Sequence, residues 1–113
     1  MLSYKTENNS LYISEKTIIF DFHIEKTLEI DMFIIVFLHN PLSGRTRDQP
    51  KNNIYAINFN GDIIWNIKEI VHEDNLYTGI RKEDDILVVI NFNGLNYFID
   101  VKTRSVLYTV GIK

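Results

Sequence analysis

The chain contains no cysteine, which removes any disulfide framework and any thiolate chemistry. It has two prolines and five glycines, too few for a linker-like or collagen-like composition. Helical periodicity is hard to find anywhere along it. The longest apolar run, Met32 to Leu38, falls far short of the ~20 residues that cross a bilayer. The amino-terminal stretch MLSYKTENNS is polar and lacks the apolar centre of a signal peptide, so the expected compartment is the cytoplasm, with no membrane contact. Positive charge is in deficit as well. Twelve Lys and Arg stand against 15 Asp and Glu, for a net charge of −3. A nucleic-acid binder relies on a basic face for phosphate contacts, so no direct nucleic-acid partner is expected, and the balance suits a basic protein partner instead.

What is present is alternation. With 113 residues, 45% of them hydrophobic, the chain is expected to form a single domain, 1–113, around its own core. Ile18, Phe20, Phe22 and Ile24 are apolar at every second position, as are Leu28, Ile30, Met32, Ile34, Val36 and Leu38. A strand places such residues on one face. Linking residues Glu25-Lys26-Thr27 would pair Ile24 with Leu28 and Phe22 with Ile30, keeping the apolar faces in register.

The pentapeptide Ile-Asn-Phe-Asn-Gly occurs at 57–61 and again at 90–94. Asn-Gly is the preferred pair for a two-residue hairpin turn. With Asn93-Gly94 as that turn, Phe92, Ile90, Val88 and Ile86 face Leu95, Tyr97, Ile99 and Val101. Asn60-Gly61 gives a second hairpin, pairing Ile57 with Ile64 and Ala56 with Trp65; both of its faces are apolar, which predicts a central position. Trp65 is assigned to the core. Residues 67–74 hold at most one helical turn, 76–82 form a strand with a bulge near Gly79, and Lys102-Thr103-Arg104 turns into a last strand at 105–110. The fold class is therefore all-β and mainly antiparallel. It is a meander of about eight strands, curved or closed into a small barrel, with at most one short helix. No third copy of the pentapeptide exists, so the repeat reads as one hairpin design used twice, not as propeller blades. Residues 39–52, HNPLSGRTRDQPKN, lack apolar periodicity and form a long polar loop, a solvated connector or a partner-contacting element.

No motif announces catalysis. His23, His39 and His72 show no close metal-ligand spacing. Ser43-Gly44 lacks the remainder of a phosphate loop, and no Gly-x-Ser-x-Gly elbow occurs. No enzyme activity, cofactor or metal is expected. The most informative polar set comes from the 25–27 turn, which would place His23 opposite Glu29 and Asp21 opposite Asp31. Like charges across a ladder are costly, so the set is either an ordinary solvated face screened by salt or a dock for basic groups, with a cation site as the third reading. Glu83, Asp84 and Asp85 are secondary members of this dock.

The stretches NNIYAINFNGDIIWNI (52–67) and DDILVVINFNGLNYFIDVKTRSVL (84–107) resemble a pattern in small β-rich bacterial proteins encoded beside polymorphic toxins, the immunity proteins of contact-dependent growth inhibition systems. That resemblance implies a cytoplasmic inhibitor that binds a cognate toxin domain, often a nuclease, and covers its basic cleft. The competing expectations are a propeller-blade-like interaction module or a small ligand-binding barrel with Tyr55, Tyr97 and Phe92 lining a cavity.

Overall fold

The computed structural model describes residues 3–111. Among these residues, eleven strands form three antiparallel meanders. Sheet A contains β1 (Tyr4–Glu7), β2 (Ser10–Ile13) and β3 (Lys16–Ile19). Sheet B contains β4 (His23–Ile30), β5 (Phe33–His39), β6 (Ile54–Asn58) and β7 (Ile63–Asn66). Sheet C contains β8 (Tyr77–Glu83), β9 (Ile86–Asn91), β10 (Leu95–Asp100) and β11 (Ser105–Gly111). The single α-helical turn, α1 (Lys68–Val71), joins β7 to β8 and ends at His72 in the left-handed region, φ 64°. The all-β antiparallel expectation holds. The strand count is eleven rather than about eight, and the sheets do not close into a barrel. The barrel-cavity residues accordingly disperse: Tyr97 is buried in the core, Tyr55 packs on Phe20 with ring centroids 5.2 Å apart, and Phe92 is exposed.

Sheet B is the middle layer. Along β5, Ile34, Val36 and Leu38 enter the core shared with sheet A, together with Leu11, Ile13, Phe20, Ile24 and Ile57. Ile35 and Phe37 enter the core shared with sheet C, with Ala56, Trp65, Tyr77, Leu87, Val89 and Ile99. A strand buried on both faces has no solvent side to reserve for polar residues, which is why 33–38 reads as an unbroken apolar run. Trp65 is fully buried, as expected.

Strand registers differ from those predicted at three hairpins. The chain does not turn at 25–27. β4 runs straight through those residues, and the hairpin closes at Asp31-Met32, with Ile30 opposite Phe33. A bulge at Glu25 interrupts the pairing between Ile24 and Lys26. Ile24 therefore faces sheet A, while Leu28 and Ile30, of the same parity, face sheet C. The apolar residues Ile18 to Ile24 likewise belong to two strands in different sheets, linked by a bend at 21–22.

The second correction concerns Asn93-Gly94. Gly94 N–H donates to Asn91 C=O, and the Asn91 side-chain oxygen accepts from Asn93 N–H and Leu95 N–H. The loop is thus Phe92-Asn93-Gly94, with Gly94 at φ 85°. Ile90 faces Asn96 and Val88 faces Phe98, one residue off the two-residue reading. Ile86, Val88 and Ile90 consequently sit on the outer face, and the core receives Leu87 and Val89. Asn58 builds the same three-residue loop before Asp62, so Ile57 faces Ile63 and not the expected Ile64, and a bulge at Ile64 then restores Ala56 opposite Trp65. The turn falls between the third and fourth strands of sheet B and between the second and third of sheet C, so the pentapeptide is a recurrent turn and not a structural repeat.

Asn53 locks sheet B to sheet C. Its side chain is 2% exposed. The amide nitrogen donates to Leu38 C=O on β5 (2.8 Å) and to Tyr77 C=O on β8 (3.0 Å), and the amide oxygen accepts from Tyr77 N–H (3.0 Å). Asn53→Leu leaves three buried backbone groups without these partners. The expected loss is about 2–4 kcal/mol in urea unfolding, against a change near zero for the exposed Asn93→Ser.

Tyr77 is buried beside Tyr97, ring centroids 6.2 Å apart. Burial, and to a smaller degree the neighbouring Tyr97 and Glu73, push its phenol up to about 12, partly offset by the Asn75 amide. The phenol thus ionises later in the folded than in the unfolded chain. Its contribution is intact below pH ~10 and is lost as pH rises from there towards 12. Over that window the wild type is expected to lose about 2–3 kcal/mol more stability than Tyr77→Phe, measured by denaturant titration at each pH.

Candidate functional site

One end of the molecule is built of turns and the other of loops. Asp31 in the β4–β5 turn lies 3.7 Å from Lys102 in the β10–β11 turn, which places those turns at a common end. At the opposite end, β5 leaves into the 40–53 segment and β8 enters after α1. The more elaborate surface is there.

The first wall of the candidate site is the Asn8-Asn9 turn of sheet A. Asn8 C=O accepts from Ile24 N–H (2.8 Å), and Asn9 exchanges two hydrogen bonds with Phe20 through its carbonyl and its side-chain amide. The turn is thereby held against the start of β4, where Asp21, Phe22 and His23 emerge. The second wall is the long loop. Gln49 is its hub: its oxygen accepts from Asn40 N–H (2.8 Å), and its nitrogen donates to the carbonyls of Asn40 (3.0 Å) and Ser43 (2.9 Å). A side-chain amide that both donates to and accepts from one backbone residue substitutes for a strand partner. Ser43 Oγ donates to Asp48, which also holds Arg45 at 3.3 Å, and a single 3-10 turn spans Thr46–Asp48. The loop is therefore an internally bonded Ω-type element and not a slack connector.

Between these walls lies a cleft of about 430 Å³, lined by Asn8, Asn9, Asp21, His23, Pro41 and Leu42 among others. A second concavity of about 230 Å³ lies on the other side of the loop, between Ser43, Gln49, Thr78 and Phe92. Leu42, at the crest, is 94% exposed. Isolated exposed leucines are ordinary; this one stands on a loop whose conformation is fixed before anything binds. His23 and His39 are cross-strand partners at the base of the loop. Among the described residues, no group of three or more His, Asp or Glu side chains could hold a metal ion.

The seven residues proposed as a dock do not come together. Asp21 and His23 line the cleft. Glu29 pairs with Ile34 six residues further along the same strand, about 20 Å away at a strand's rise per residue. His23 faces His39 rather than Glu29. Asp31, Glu83, Asp84 and Asp85 lie at the turn end. Glu83 is bound to Arg81 at 2.7 Å, and Asp31 faces Lys102. Asp31 and Asp84 each open a two-residue turn at φ 54°, a conformation that short polar side chains tolerate better than most. Their identity is explained by backbone geometry. Asn8, Asn9, Asn40, Leu42 and Gln49 were not singled out from the sequence; the Asn-Asn and Asn-Pro turn signals were the available clues.

A family model matches residues 1–109, that of a domain of unknown function, DUF7957. The chain belongs to the DUF7957 family. No curated protein and no solved structure matches it. The DUF7957 match covers both walls of the cleft, the loop and both cores, so the whole site lies within the family domain.

If Gln49 holds the loop, Gln49→Ala releases it. Trypsin is expected to cut after Arg45 or Arg47 at least severalfold faster in the variant, at a global stability cost of only about 1–2 kcal/mol. Equal cleavage rates would show that the loop is held by other contacts.

Proposed function

We propose that this protein is a non-enzymatic binder that neutralises a cognate toxin domain, engaging it through the loop end of the molecule. The supporting observation is Leu42, presented with Pro41 on an internally bonded loop beside a cleft that contains Asp21 and His23. A preordered loop loses little conformational entropy on binding, and an apolar crest beside a concavity that sets Asp21 and His23 in a mainly apolar lining offers an anchor and a socket to a partner. The likeness of 52–67 and 84–107 to immunity proteins supplies the partner class. The net charge of −3 favours a toxin with a basic cleft, such as a nuclease, because opposite fields accelerate encounter. The acidic residues at the turn end contribute to that field, while Asp21 is the charged contact at the loop end.

Co-expression with a toxin domain encoded by the adjacent gene, followed by co-purification, tests the function. Leu42→Ala with Asp21→Lys is expected to weaken the complex by about tenfold or more. Asp84→Lys with Asp85→Lys is expected to slow association at low salt and leave dissociation unchanged. Absence of a complex with the wild type removes the toxin reading. A complex sensitive only to the 84–85 variant moves the contact to the turn end.

A further inference from the structure

The three sheets present six edge strands, β1, β3, β4, β7, β8 and β11. Natural proteins protect edges with charge, proline or brevity, because an open edge recruits other strands. β1 carries Lys5 and Glu7, and β3 carries Lys16. β4 carries Glu25, Lys26 and Glu29, and β8 carries Arg81, Lys82 and Glu83, with Lys26 Nζ also capping Ile80 C=O at 3.0 Å. β7 is neutral but only four residues long. β11 differs from all of these: its seven residues, SVLYTVG, include no charge and no proline, and its one bulge, at Leu107, lies before Tyr108–Gly111, which pair with β10 in regular register. Among the described residues it has a strand neighbour on one side only, β10. The α1 turn touches it, yet residues 107–111 are all exposed.

The outer face of sheet C leads to this edge. Cross-strand register sets Arg81, Val88, Phe98 and Tyr108 in one row. The Arg81 guanidinium lies 5.8 Å from the Phe98 centroid, and Phe98 stacks on Tyr108 at 4.4 Å. The row ends at Tyr108, 51% exposed, with Val110 beside it at 44%. Asn96, opposite Val110 on the same face, is 4% exposed and its side-chain oxygen has no hydrogen-bond partner.

We propose that β11 is a self-association edge, and that two copies of the chain pair antiparallel through it to make one continuous eight-stranded sheet. A second copy is the occupant favoured by charge: a neutral strand meets its own image with no like charges opposed, whereas four of the other five edges carry charge that a two-fold axis would bring together. Pairing centred on Thr109 sets Tyr108 of each copy opposite Val110 of the other, an aromatic and β-branched pair that occurs twice by symmetry. The aromatic row of each copy then continues into Val110 of the other, and the two Tyr108 side chains lie diagonally across the two-fold axis. This inference is independent of the toxin-binding reading, since it concerns a strand edge and not the loop.

Sedimentation velocity of the full chain from low micromolar to near-millimolar concentration tests it. The wild type is expected to shift from monomer to dimer. Tyr108→Lys with Val110→Lys places lysine against lysine at both pairs and is expected to raise the dimer dissociation constant at least about tenfold. Both residues are exposed, and an unchanged far-ultraviolet circular dichroism spectrum confirms that the variant is folded. A wild type that stays monomeric at the highest concentration overturns the proposal. So does a folded double variant that dimerises as tightly as the wild type.

Discussion

The side chain of Asn53 is the point on which the architecture turns. Two sheets packed face to face through apolar residues can slide, because hydrophobic contact has little directionality. Three hydrogen bonds from one buried amide, to β5 on one side and to both backbone groups of Tyr77 on the other, remove that freedom. The neighbouring Asn52 reinforces the junction: its N–H donates to Asn75 C=O at 2.7 Å and its side-chain oxygen accepts from Asn75 N–H. The long loop re-enters the fold at this junction, so its base is fixed by the same residues that align the sheets. An amide suits the position better than a charge would, since it satisfies donors and acceptors together without the cost of burying an ion.

Strand content, the buried tryptophan and the helical turn were legible from alternation and turn chemistry; the 52–67 hairpin, expected to be central, lies in the middle sheet but its second strand, β7, is an edge. Register was less legible, both where a three-residue loop replaced the expected two-residue turn, as between β9 and β10, and where a strand carries a bulge. Four pairings carry one: near Glu25, near Ile64, near Thr78 and near Leu107. Each extra residue reverses which face the following side chains occupy. The chain uses this. β4 serves the sheet A core through Ile24 and the sheet C core through Leu28 and Ile30, and β8 places both Tyr77 and Ile80 in one core although they differ in parity. Strict alternation cannot represent either case. Applied to 18–38, it produced a turn where the chain in fact continues straight.

The candidate site was less legible for a related reason. Acidic residues were read as charge, but in two of the proposed docking positions the backbone needs φ near +54°, and aspartate is selected there for its short polar side chain. Sequence alone does not separate these two uses of one residue type. The segment between β5 and β6 spans 40–53, and its order was invisible in the sequence, because it rests on the Gln49 side chain bonding the Asn40 backbone nine residues away and the Asn40 side chain bonding Asp48 C=O eight residues away. Such pairing has no period and no fixed spacing.

A common device underlies both ends. Asn9, Asn40, Gln49, Asn52, Asn53, Asn58, Asn66 and Asn91 all use side-chain amides as substitutes for backbone partners. This gives order to turns and loops in a chain with few glycines and almost no helix. It also lets neutral amides order the loop end alongside the Arg45–Asp48 and Lys68–Asp74 ion pairs, while Asp31, Glu83, Asp84 and Asp85 lie at the turn end among Arg81 and Lys102. Under the proposed reading, long-range attraction arises from the net charge of −3 spread over the whole surface and is screened by salt. Close contact depends on shape and apolar burial at the loop end, which salt affects little. A partner held this way would be recruited through one property of the surface and retained through another.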